Sequence, residues 1–148
     1  RVIIMRRNTQ YSNFHRGFRE HLGVSVRSSW ENNVLCWMKH KRMKWEYEPE
    51  IFYFESIKRG TRGYTPDIRL KQGRDYKWVE VKGYLRPQDR TKIKRFKKYY
   101  PEEFARLVAI TKNEKSEATK FFQEMGVPIM AYYDDLVKEF KGKLRYWE

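Results

Sequence analysis

The sequence predicts an α/β protein, a mixed β-sheet flanked by helices. Three observations carry this. Apolar residues recur at helical spacing in "SSWENNVLCWMKHKRM" and at strand spacing in "PDIRL" and "YKWVEVKG". Helical and strand-like segments then alternate to the end of the chain. The length, 148 residues with 40% hydrophobic and 17% aromatic side chains, suits one domain with a real core.

In order, residues 1–27 read as a basic N-terminal arm. It carries a short "VIIM" apolar patch and scattered aromatics at Tyr11, Phe14 and Phe18. Residues 28–148 form the domain proper. Its first helix places Trp30, Val34, Trp37, Met38 and Lys41 on one stripe facing the core. "KWEYEP" and "IFYFES" follow as strands, and the basic, glycine-containing "IKRGTRG" as a loop. "PDIRL" and "YKWVEVKG" make a hairpin turning at "KQGRD". Pro87 opens the helix "PQDRTKIKRFKKYY", which ends before Pro101. "ARLVAIT" is a buried strand, "EKSEATKFFQEMG" a helix closed by Gly126, "VPIMAYY" a strand and "DDLVKEF" a last helix.

Charge narrows the function. A net charge of +14 repels itself unless it meets a polyanion, and nucleic acid is the expected one. No apolar run approaches the ~20 residues of a membrane span, and the N-terminal residues carry no signal-peptide core, so no membrane partner is expected. The single cysteine, Cys36, precludes an internal disulfide framework and fits a reducing, cytoplasmic compartment. Its place near the apolar side of the first helix suits packing better than nucleophilic catalysis. His15, His21 and His40 lack partners at zinc-ligand spacing. The glycines of "RGTRG" lack the GK[ST] of a phosphate-binding loop.

Period-2 alternation in the hairpin sends Ile68 and Leu70 to one face and Asp67 and Arg69 to the other. Val79 and Val81 share a face opposite Glu80 and Lys82. Asp67, Glu80 and Lys82 therefore gather on one side. Two carboxylates held close repel each other at low dielectric, and a cation would relieve them. All-oxygen ligands favour a hard ion such as Mg²⁺. A lysine beside them can hold a water or steady developing negative charge. An isolated E-x-K in a strand is more often a solvated ion pair. The preceding Pro-Asp and the basic surroundings shift the balance toward a site.

The series "VRSSWE", "KWEYEP", "YTPDIRL" and "WVEVKG" resembles the PD-(D/E)xK nuclease superfamily, and within it the phage endonuclease I-type Holliday-junction resolvases. The resemblance runs from Val26 to Lys112 and omits the N-terminal arm. It implies a restriction-endonuclease-like core with Asp67 as the central metal-binding aspartate and Glu80 as the second acidic ligand. The Val81 carbonyl would complete the coordination, and Lys82 would orient the attacking water. Glu31 would be an additional glutamate ligand, although Ser28 and Glu31 also spell the capping box S-x-x-E, which needs no metal. The implied cofactor is Mg²⁺, two ions per site, with Mn²⁺ able to substitute.

The basic helix and loop supply a phosphate-binding groove: Arg59, Arg62, Arg86, Arg90, Lys94, Lys97 and Lys98, with Lys92 and Arg95 flanking and Ile93 and Phe96 toward the sheet. The expected activity is metal-dependent endonucleolytic cleavage of branched DNA, four-way junctions above all, leaving 5′-phosphate and 3′-hydroxyl ends. A homodimer would supply the two symmetric cuts, with the host cytoplasm as location if the chain is phage-encoded. A transposase or recombination nuclease on another DNA is the neighbouring alternative. A non-catalytic nucleic-acid-binding module is the alternative from another class, and it would have no need for two repelling carboxylates.

Overall fold

The computed structural model describes residues 16–148. The expected "VIIM" patch, Tyr11, Phe14 and His15 lie outside the described residues. The chain forms two compact units: residues 44–135, and a smaller one that joins the described residues up to Met43 with 136–148.

The described residues of the smaller unit begin with a hairpin inside the segment expected to be an arm. Strands β1 (Gly17–Arg19) and β2 (Val24–Val26) pair antiparallel, with Phe18 opposite Ser25. Helix α1 (Ser29–His40) follows, its first turn capped by the Ser28 hydroxyl, which accepts from the Glu31 N–H at 3.2 Å. Glu31 near its start and Lys39 and His40 near its end complement the helix dipole. The buried face differs from the expected stripe. Val34, Leu35 and Met38 are fully buried, but so are Asn32 and Asn33, whereas Trp30 and Trp37 are half-buried and Lys41 is exposed. The asparagines can sit inside because their amides clasp the last residues of the chain. Asn32 donates to the Tyr146 carbonyl (2.9 Å), and Asn33 exchanges two bonds with Glu148 (3.0 and 2.8 Å). Cys36 is buried beside them, and burial pushes its thiol up to about 11, so it packs rather than attacks.

The larger unit is a mixed α/β layer. Its sheet runs β3 (Lys44–Tyr47), β6 (Ile68–Gln72), β7 (Asp75–Val81), β8 (Leu107–Thr111), β9 (Ile129–Tyr132) in spatial order. β3, β6 and β7 are antiparallel, while β7, β8 and β9 are parallel. Parallel neighbours need long connections, supplied by α2 (Pro87–Tyr99) and the four-residue α3 (Pro101–Phe104), then by α4 (Glu117–Glu124). All five residues of the interior parallel strand β8 are buried. Gly126 ends α4 at φ +84°, as its sequence position suggests. Helix α5 (Tyr133–Phe140) starts where β9 stops.

"IFYFES" is less of a strand than expected. Only β4 (Phe52–Tyr53) forms, in its own two-stranded ladder with β5 (Gly63–Tyr64). The backbones approach so closely that a Cβ on Gly63 would stand 3.2 Å from the Phe52 carbonyl oxygen. This ladder carries Phe52, Phe54 and Tyr64 into an aromatic core with Trp78, Phe96, Phe104 and Leu107. Ile93 and Phe96 of α2 reach that core, as their spacing predicted.

Candidate active site

The hairpin register positions the central residues. Ile68 pairs with Val79 and Arg69 with Trp78, so one further step sets Asp67 opposite Glu80. Ile68 and Val79 are fully buried on one face; Trp78 points into the aromatic core on the other, and Glu80 and Lys82 continue along that second face. β6 stops short here. The Val81 N–H, facing the missing end of β6, therefore donates to Asp67 Oδ2 at 2.7 Å. The Asp67 carbonyl in turn accepts from the Glu48 N–H at 2.7 Å, which ties this corner to the end of β3. Asp67 and Glu80 are 7% and 5% exposed, a degree of burial unusual for carboxylates without partners or a role.

Two residues that the sequence reading did not single out complete the arrangement. Tyr64, buried with its ring 4.9 Å from that of Phe96, donates its hydroxyl to Glu80 Oε1 at 2.5 Å. Burial first, then the charges of Glu80 and Asp67, hold the Tyr64 phenol well above its ordinary range, so it stays a neutral donor. Asp89, in the first turn of α2, lies 3.4 Å from Lys82 Nζ, which is also 3.6 Å from Glu80 Oε2. Burial opposes the Lys82 charge, but Glu80, Asp67 and Asp89 together outweigh it and raise its pKa. Lys82 is thus an ammonium here, suited to orienting or to charge stabilisation rather than to taking a proton. Burial pushes Asp89 upward too, but bonds from Arg86 and the Lys82 charge win and lower it.

A hard cation fits the donor chemistry. Asp67 and Glu80 are oxygen donors on facing positions, and a strand residue projects its N–H and C=O from the same edge, which puts the Val81 carbonyl on the Asp67 side. Among the described residues no group of three or more His, Cys, Asp or Glu side chains is arranged to hold a metal, so this would be a two-carboxylate site completed by backbone and solvent. Glu31 belongs to the smaller unit. Its carboxylate accepts at 2.7 Å from the N–H of Arg27, the residue before the Ser28 N-cap.

The expected phosphate-binding residues divide. Arg59 and Arg62 lie exposed in the β4–β5 loop, which is closed by the Phe54 N–H on the Arg62 carbonyl and held to α2 where Arg95 donates to the Thr61 carbonyl. Arg86 is exposed beside Asp89. Arg90 is engaged, 3.8 Å from Glu117 and 5.0 Å from the Phe121 ring. Lys94, Lys97 and Lys98 are exposed; Lys97 donates to the Met125 carbonyl at 3.1 Å and Lys98 Nζ lies 5.3 Å from the Tyr99 ring. Among the described residues no helix is long and apolar enough to cross a membrane.

No protein-family model and no curated protein matches the chain. Among solved structures it is similar to the crystal structure of a protein of unknown function, AF1548, at 12% identity and a TM-score of 0.47, over 75% of this chain. The chain spans about 65% of that protein's length.

Proposed function

We propose that the chain is a metal-dependent DNA endonuclease of the PD-(D/E)xK type, acting on branched DNA such as four-way junctions. The observation that carries this reading is the burial of Asp67 and Glu80 on facing positions of one hairpin, with a charged lysine against them. Such a grouping is costly to fold and is expected where charge must be managed for chemistry. Asp67, Glu80 and the Val81 carbonyl would hold Mg²⁺, which when bound polarises a phosphoryl oxygen and makes water more acidic. Tyr64 fixes the Glu80 carboxylate. Lys82 orients the attacking water and steadies negative charge gathering on the phosphate. Arg59, Arg62, Arg86, Lys94 and Lys98 supply exposed cations for backbone phosphates on either side of the cut.

Selectivity for a branch needs two sites at a fixed separation, hence a homodimer. Ile51 and Tyr53, 50% and 60% exposed around β4, are apolar surface in the larger unit suited to that contact. The test is to incubate the protein with labelled four-way junction, linear duplex and single strand, with and without Mg²⁺. Paired, symmetric cuts in the junction that require Mg²⁺ are expected. Equal cutting of duplex and junction, or a monomer by light scattering, would leave a nuclease without the junction preference. No cutting of any DNA would sink the reading.

A further inference from the structure

We infer that Asp89 is a positioning residue of this site: its carboxylate shares the Lys82 ammonium with Glu80, so that this charge is not left to Asp67 and Glu80 alone. What the held ammonium then does rests on the nuclease reading above; the holding itself does not.

A lysine is a point charge on a flexible four-carbon stem, and it settles where negative charge is densest. With only Asp67 and Glu80 nearby, the ammonium would settle against those two carboxylates and compete there with any cation they would hold. Instead Nζ lies 3.4 Å from Asp89 Oδ1 and 3.6 Å from Glu80 Oε2, shared between two carboxylates. Asp89 is itself firmly placed. Its Oδ2 accepts from the Arg86 N–H at 2.8 Å and from Arg86 Nε at 3.3 Å, and its Oδ1 from Arg86 Nη2 at 3.3 Å. It rides on a helix fixed in the aromatic core by Ile93 and Phe96. Both its oxygens therefore face N–H donors and ammonium, which marks it as a holder of Lys82 rather than a ligand in its own right.

Asp89→Asn separates this role from helix capping, because the amide oxygen still accepts the Arg86 N–H while the charge is gone. Two measurements decide. In crystals of metal-free protein, Lys82 Nζ of the variant should leave residue 89 and lie against Asp67 and Glu80. By titration calorimetry without DNA, Mg²⁺ should bind about tenfold more weakly than to the parent. An unmoved Nζ, or an unchanged Mg²⁺ affinity, would overturn the proposal. Should the asparagine variant fold poorly, Asp89→Ser supplies another capping oxygen for the same comparison. A parent protein that takes up no Mg²⁺ would instead remove the nuclease reading, and the position of Nζ would then decide the Asp89 proposal alone.

Discussion

The β6–β7 hairpin carries similar charged side chains at its two ends and treats them oppositely. Toward the turn, Lys71 lies 3.8 Å from Glu46 and Arg106 binds Asp75, largely in solvent, while Arg69, midway and opposite Trp78, pairs with Glu46 at 2.8 Å and lies 3.7 Å from Glu50. At the open end Asp67, Glu80 and Lys82 are buried together. Between the two ends stands Trp78, fully buried, with the guanidinium of its cross-strand partner Arg69 5.5 Å from its ring. Residue type alone is thus a poor guide to a site. An exposed pair costs little to form and returns little, since water screens both charges. A buried one is costly and persists only where the surrounding structure over-determines it, as Tyr64, Asp89 and the Val81 N–H do here.

The largest effects should follow from the open end. On the proposed reading, Asp67→Asn should abolish cleavage while leaving DNA binding intact or tighter, because it would remove a metal ligand and a repulsive charge together; Glu80→Gln should behave alike. Gel-shift and cleavage assays on the same preparation separate the two outcomes, and normal cutting by either variant would erase the contrast between the hairpin's ends. Glu31→Gln sharpens it from outside the hairpin. A cap alone should lose about 1 kcal/mol of stability or less and keep activity. A ligand should lose activity with little change in melting.

Tyr64→Phe comes next. The ring should stay packed on Phe96, but Glu80 loses the donor that fixes it. We expect about tenfold slower cleavage and a higher Mg²⁺ requirement, the size usual for partners that orient a ligand. Parent-like Mg²⁺ dependence would mean that Glu80 is oriented without the Tyr64 hydroxyl.

How much of this was legible in the sequence depends on distance along the chain. The period of two in "VEVK" and "DIRL" is a local property, so the split between Asp67, Glu80 and Lys82 on one face and the aliphatic residues on the other could be read directly. Tyr64 and Asp89 could not be read that way. Tyr64 meets Glu80 because the short β4–β5 ladder carries it into the core, and Asp89 meets Lys82 because α2 packs on the same aromatic layer. The one signal available for Asp89 was an acidic residue three positions after Arg86, the spacing of a helix cap. The same limit explains the misread face of α1. Asn32 and Asn33 look solvated by type, and it takes partners more than a hundred residues away, with His21 on Asn32, to make them core.

A smaller effect separates cations within α2. Lys94, Lys97 and Lys98 are all exposed, but Lys97 is also tied to the Met125 carbonyl and lies 5.5 Å from the Phe104 ring. Reversing Lys94 and Lys98 should flatten the plot of log affinity against log salt by about 0.9 for each phosphate that is no longer neutralised. Reversing Lys97 should change melting more than slope. An unchanged slope for the first pair would take this helix out of the DNA interface.

The smallest effect should come from the turn end, at Asp75. The Tyr76 N–H and then Arg106 hold its carboxyl below the usual range. Its contribution to stability is therefore present at neutral pH and is lost only as pH falls through that lowered value. The residue is largely exposed, so salt and water screen the interaction. Asp75→Asn should leave cleavage unchanged and shift the neutral-pH melting midpoint barely beyond repeatability. The gap between variant and parent should close further in acid, where the parent's carboxylate is protonated as well. A large loss of stability in calorimetry at neutral pH would show that the turn end, too, depends on its charges, and the contrast drawn along this hairpin would fail.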